Sequence, residues 1–167
     1  MSVFVTVGST GFDELVDVVT TASFLSALKS LGYSSIVVQY GSSEKVYSRN
    51  VSQLPNDSIT MQGYTYKSSI DDDMKRASLI ISHAGSGSML QALRLHKRLI
   101  VVSNTSLMDN HQVELAQAMQ QKNYCCCSDP NGLVDAIRDA STREMAPFPN
   151  PATEAFTELL DHHMGFH

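Results

Sequence analysis

Short runs of aliphatic and β-branched residues alternate along the chain with stretches whose apolar positions recur every three or four residues. Alternation of these two periods predicts strands interleaved with helices. Ser2–Val7 reads as a first strand, ended by Gly8-Ser9-Thr10-Gly11. From about Asp13, the residues Leu15, Val18, Val19, Ala22, Leu25 and Leu28 form one stripe of a single helix, with Gly32 as its stop. Ser35–Tyr40 is a second strand, Glu44–Asn50 a short helix and Ser58–Gln62 a weaker strand. A short helix at Ser69–Ala77 precedes Leu79-Ile80-Ile81, a strand that runs into His83-Ala84-Gly85-Ser86-Gly87-Ser88. Helix from about Ser88 to Leu95, strand at Leu99–Val102, helix at Asp109–Lys122, strand at Tyr124–Cys127 and helix at Asn131–Ala140 follow in turn. Pro147, Pro149 and Pro151 then interrupt the chain, and beyond them Ala152, Ala155, Phe156, Leu159, Leu160 and His163 share a helical face. The expected fold is α/β: a Rossmann-like, open, mainly parallel sheet with helices on both faces.

Composition narrows the partners. A chain of 167 residues with 43% hydrophobic and 17% charged residues suits one globular domain, so residues 1–167 are expected to form a single unit. The net charge is -5 and no cluster of Lys and Arg is long enough to follow a phosphodiester backbone, which argues against nucleic acid. A single nucleotide is not excluded, because backbone N–H groups hold phosphate without basic side chains. No run of 18 apolar residues predicts a bilayer span. With only Met1 and Ser2 ahead of Val3, no secretory leader is expected. Cys125, Cys126 and Cys127 are adjacent, so in a strand they alternate between faces and pair poorly; they read as reduced thiols, as in a cytosolic protein.

Ligands of an open parallel sheet bind beyond the carboxyl ends of its strands. Three polar loops follow expected strands and should gather on that edge: Gly8–Phe12, His83–Ser88 and Asn104–Gln112. The middle loop joins small residues to the start of a helix, whose first N–H groups lack internal partners and carry partial positive charge. Gly85 and Gly87 allow positive φ there and let the backbone approach an anion closely, with Ser86 and Ser88 adding hydroxyls. Neither GxxxxGK[ST] nor GxGxxG is present, which argues against a P-loop and against a dinucleotide-binding oxidoreductase. In the third loop Asp109 suits a helix N-cap, and Asn110, His111 and Gln112 offer the donors and acceptors that read sugar hydroxyls.

The segment Ser82–Leu93, S-H-A-G-S-G-S-M-L-Q-A-L, together with Ser106–Gln112, S-L-M-D-N-H-Q, resembles the C-terminal half of GT-B glycosyltransferases. The same residues resemble the family of small cytosolic subunits of the two-subunit UDP-N-acetylglucosamine transferase of the dolichol pathway and, more distantly, MurG-type enzymes. The start V-F-V-T-V-G-S-T, the strand ending Val38-Gln39-Tyr40-Gly41 and the P-F-P around Phe148 fit the same family. The resemblance implies inverting transfer of N-acetylglucosamine from UDP-N-acetylglucosamine to N-acetylglucosaminyl-diphospho-dolichol, with no metal and no cofactor. It implies donor contacts from Gly8, Ser9 and Thr10, from His83, Gly85, Ser86, Gly87 and Ser88, and from Asp109, Asn110, His111 and Gln112. Gln91 stands where relatives place a carboxylate for the ribose, and Tyr64 is expected near the uracil. Arg98 replaces a frequent proline, with a local effect only. The general base would belong to a membrane-anchored acceptor-binding subunit that holds this chain at the cytosolic face of the endoplasmic reticulum. A C-terminal helix over residues 151–164 is the expected docking element. A non-enzymatic regulatory subunit that binds the same nucleotide sugar is the competing reading.

Overall fold

The computed structural model describes residues 1–104, 110–150, 158 and 161. Thr105–Asp109, and with them the expected N-cap Asp109, lie outside the described residues, as does nearly all of the expected helix at 151–164. Six strands form one sheet: β1 (Ser2–Thr6), β2 (Ser35–Gln39), β3 (Thr60–Tyr64), β4 (Leu79–His83), β5 (Arg98–Val102) and β6 (Cys126–Ser128). Their spatial order is β3-β2-β1-β4-β5-β6, with every neighbouring pair parallel.

Alternation along each strand divides the core. Val3, Val5, Leu79, Ile81, Ile100 and Val102 point to one face, and Phe4, Ile80, Leu99 and Val101 to the other. The first face packs under α1 (Asp13–Val19), α2 (Ala22–Ser30) and α7 (Leu133–Thr142), flanked by α3 (Glu44–Val51). The second packs under α4 (Asp71–Arg76), α5 (Ser86–Arg94) and α6 (Asn110–Gln121). Helices on both faces of a parallel sheet are what the sequence pattern predicts. The cysteines obey the same alternation: Cys126 joins the first face, while Cys125 and Cys127 pack on the second, and all three are free thiols.

The expected single helix over residues 13–31 is two helices. Thr20 Oγ donates to the carbonyl of Val16 at 2.6 Å, and Thr21 Oγ donates to Val18 O while accepting from Phe24 N. Two adjacent threonines thus satisfy one helix end and cap the next start, competing with a continuous ladder. The break rotates the apolar stripe: Ala22 is exposed, Leu25 and Leu28 are buried as expected, and Phe24 and Ala27 join them. The strand expected at Tyr124–Cys127 is shifted to Cys126–Ser128, and α5 begins two residues earlier than expected.

Phe24 is fully buried in the first layer. Phe24→Ala should lower the unfolding free energy by about 3–5 kcal/mol in urea titrations, whereas Ser23→Ala, on the exposed side of the same turn, should change it by less than about 0.5 kcal/mol.

Candidate functional site

The sheet reverses its winding between β1 and β4, so the loops after these strands diverge and leave a crevice at the carboxyl edge. His83, the last residue of β4, lies across that crevice. Its Nδ1 is 3.3 Å from the carbonyl oxygen of Thr6. A carbonyl only accepts, so Nδ1 carries the proton and Nε2 is the bare nitrogen of the neutral ring. Burial holds the imidazole below its ordinary value, an effect the bond to Thr6 only partly opposes. A methyl group on Gly8 would stand 2.9 Å from Nε2, and one on Gly85 only 2.4 Å away. A side chain at either glycine would therefore displace the ring.

The conformational freedom that glycine allows is not used in this turn. Gly85 has φ -75 and is the N-cap of α5, and Gly87 is an ordinary helical residue, so neither uses positive φ. Positive φ occurs instead at Gly8 and Gly11 in the first loop and at Gly41 after β2. There the loops touch: a methyl on Gly41 would lie 2.7 Å from Gly8 O, and Phe12 N donates to Ser43 Oγ at 2.9 Å.

Gln39, buried at the end of β2, fastens the first loop. Its Oε1 accepts from Thr6 Oγ at 2.6 Å and from the N–H groups of Val7 and Gly8 at 3.2 Å, and its Nε2 donates to Gly8 O and Thr65 O. Gly8 is thus held by both its polar atoms, and its N–H is not free for a ligand. Sequence reasoning missed Gln39 as a site residue, although an amide ending the apolar run Ile36-Val37-Val38 was the available signal.

The donors left open are those of α5. Its ladder starts with Met89 N on Gly85 O, so the N–H groups of Ser86, Gly87 and Ser88 have no acceptor within the helix. No side chain caps this end, and its first turn holds no acidic residue to offset the positive pole. Gly87 is exposed, and a methyl built on it would meet nothing within 4 Å.

Two hollows flank the crevice. One, of about 290 Å³, is lined by Gly8 and Ser9, by Tyr66–Ile70 and by Ser88 and Gln91, which lie one turn apart on α5. The other, of about 330 Å³, is lined by Thr10, Gly11, His83, Asn104 and Gln112. Of the third loop, Gln112 reaches this hollow, His111 is exposed, and Asn110 is the first residue of α6. The structure thus gathers Gly8, Ser9, Thr10, His83, Gly85, Ser86, Gly87, Ser88, Gln91 and Gln112 on one edge.

Tyr64 is not among them. Its hydroxyl donates to Asp73 at 2.6 Å, and Lys67 Nζ lies 2.9 Å from the same carboxylate oxygen and 4.1 Å from the Tyr64 ring centre. Burial alone would raise Asp73, but the bonds from Tyr64 and Lys67 and the charge of Arg76 outweigh it and hold the carboxyl below its usual range. Tyr66, two residues on, lines the first hollow instead. Gln91 Nε2 donates to Asp71 Oδ1 at 3.3 Å. The hydrogen bond from Lys75, aided by that from Gln91, keeps Asp71 below the ordinary carboxylate range, so the charge that Gln91 lacks stands one hydrogen bond away.

With the geometry set, sequence similarity decides the family. The glycosyltransferase family 28 C-terminal domain matches residues 2–163. The chain belongs to this family. It is 32% identical to the UDP-N-acetylglucosamine transferase subunit ALG13 of Yarrowia lipolytica over 171 residues, covering 99% of this chain and 86% of the relative. Identity to the human subunit of the same name is 41% over 128 residues, which is 75% of this chain and only 11% of the human protein, so the chain spans about a tenth of that relative. Among solved structures, the NMR structure of ALG13 superposes with a TM-score of 0.72 at 29% identity, covering 95% of this chain and 94% of that one. MurG of Acinetobacter baumannii superposes at 0.66 with 17% identity, and this chain covers 41% of it. The family fold is thus one Rossmann-like half of a GT-B enzyme.

Two predictions rest on His83. Gly85→Ala should cost about 1–3 kcal/mol by forcing the ring aside, and most of that cost should vanish in a His83→Ala background, as read from a double-mutant cycle in urea. The depressed value also sets a pH dependence: the folded state favours the neutral ring, so this stabilisation is complete above the unfolded value of 6.5 and is lost as pH falls through the lower folded value. Urea midpoints should fall more between pH 7 and 5 in the wild type than in His83→Gln.

Proposed function

We propose that this chain is the donor-binding subunit of an inverting glycosyltransferase that moves N-acetylglucosamine from UDP-N-acetylglucosamine to N-acetylglucosaminyl-diphospho-dolichol. The observation that carries this reading is the open, uncapped start of α5 between two hollows. The diphosphate would lie on the N–H groups of Ser86, Gly87 and Ser88. The nucleoside would extend along Ser88 and Gln91, with Asp71 behind Gln91 to bias a ribose hydroxyl. The sugar would occupy the hollow of Thr10, Asn104 and Gln112, and Asp109, Asn110 and His111 belong to the same proposed set of donor contacts.

The step breaks the bond between the anomeric carbon and the diphosphate oxygen, and the electron pair leaves on UDP. The acceptor hydroxyl oxygen attacks from the opposite side, which inverts the carbon. Developing charge on the leaving group meets fixed amides, each worth on the order of 3 kcal/mol in enzymes that stabilise an oxyanion. The acceptor proton needs a base. His83 is assigned a positioning role instead, since its Nδ1 is bound to Thr6 O and its ring packs against Gly8 and Gly85. The base is assigned to a membrane-anchored partner that supplies the acceptor half and holds this chain at the cytosolic face of the endoplasmic reticulum. A partner is supported by the names of the relatives, which carry the word subunit.

Gly87→Trp should abolish UDP binding in calorimetry while changing stability by less than about 0.5 kcal/mol, because position 87 is exposed and a Cβ there meets nothing within 4 Å. Purified chain alone should not transfer sugar, and should gain turnover when mixed with the membrane subunit. Robust transfer by the isolated chain would overturn the two-subunit scheme, and UDP binding without turnover in the complex would favour a regulatory subunit.

A further inference from the structure

The three adjacent thiols take no part in the crevice, since neither of its hollows is lined by a cysteine. They lie at and just before β6, the outermost strand on its side of the sheet. Alternation sends Cys126 to the first face, where it is buried and its Sγ donates to Asp139 Oδ2 at 3.7 Å. Cys125 and Cys127 share the second face. Cys125 is fully buried there, whereas Cys127 is only half-buried. One accessible sulfur thus stands beside one enclosed sulfur.

The backbone allows these two to be joined. Residues two apart in an extended chain have Cα atoms roughly 6.6 Å from each other, and a disulfide spans Cα separations up to about 6.8 Å. Any small contraction falls on Cys125, which precedes β6, because the ladder to β5 begins at Cys126. The side chains already interact. The Cys125 thiol, as donor, holds Cys127 below its ordinary value against the effect of burial, and the same interaction pushes Cys125 up. In this reduced state Cys127 Sγ donates in turn to the carbonyl of Ala116 on α6 at 3.3 Å. The more accessible sulfur is therefore also the better nucleophile of the two.

We propose that Cys125 and Cys127 are a dithiol that a hydroperoxide closes to a disulfide, with Cys127 as the attacking sulfur and Cys125 as the resolving one. Cys127 gives its proton to solvent, and its sulfur attacks a peroxide oxygen. The O–O bond breaks, Cys127 becomes a sulfenic acid, and the departing oxygen takes up a proton and leaves as water or an alcohol. Cys125 then attacks the sulfenic sulfur. The S–S bond forms, the S–O bond breaks, and the hydroxyl leaves as water with the Cys125 proton. Two thiols are oxidised and one peroxide bond is reduced, and a dithiol reductant reverses the change. Cys126, on the opposite face, stays a thiol.

The test treats the full chain with hydrogen peroxide and then blocks remaining thiols with N-ethylmaleimide in denaturant. The tryptic peptide Asn123–Arg138, which holds all three cysteines, is then fragmented in a mass spectrometer. It should have lost two hydrogens, about 2 Da, carry one maleimide on Cys126 and give no fragments from cleavage between residues 125 and 127. Dithiothreitol should restore three blockable thiols. In Cys125→Ala, dimedone should trap a sulfenic acid at Cys127 about ten-fold faster than at Cys126, and Cys126→Ala should close the bridge as the wild type does. A bridge that includes Cys126 or joins two chains overturns the proposal. So do equal labelling of Cys126 and Cys127, and three thiols left intact while free cysteine in the same solution is consumed. The wild-type peptide decides the matter even where a variant does not fold.

Discussion

The architecture of the carboxyl edge depends on one imidazole lying where the chain passes closest to itself. His83 ends β4, accepts the packing of Gly8 and Gly85 against its ring, and donates to the carbonyl of Thr6 at the end of β1. That bond joins the two strands at the point where the sheet changes direction. Because partial burial disfavours its charged form, the ring adds shape and a directed N–H to this junction. A larger residue at either glycine would press on this ring and force it from its place.

Around this junction the polar groups are treated in two opposite ways. Gln39 spends both ends of its amide on the loops after β1 and β3, and among the described residues no buried side-chain nitrogen or oxygen lacks a partner. At the start of α5 the reverse holds: amides lie open with no cap and no acidic neighbour. Leaving a helix start uncapped forgoes roughly 1 kcal/mol of stability. The fold thus keeps its scaffold saturated and reserves its unsatisfied donors for a few residues at the crevice.

The same logic separates Tyr64 from Tyr66. Tyr64 belongs to the scaffold, its hydroxyl bound to Asp73 and its ring under Lys67. Tyr66 belongs to the rim. Likewise Asp71 and Gln91 act as a pair across α4 and α5, so a charge absent at one position is held at the neighbouring helix. A family pattern read position by position does not register such an exchange.

Much of the fold was legible in the chain because period and punctuation are local properties. The β-branched runs, the helix stripes and the glycine loops after β1 and β4 placed all six strands nearly where they lie, and put Ser86, Gly87 and Ser88 at a helix start. Local patterning also located the three adjacent cysteines on alternating faces. What it could not decide were contacts between residues far apart in sequence. That Gly85 yields to a histidine ring, that Gln39 reaches across to Gly8 and Thr65, and that Tyr66 rather than Tyr64 faces the hollow follow from which strands end side by side. Strand order is settled by packing of the two helix layers, and only that packing brings residues dozens of positions apart within hydrogen-bonding distance.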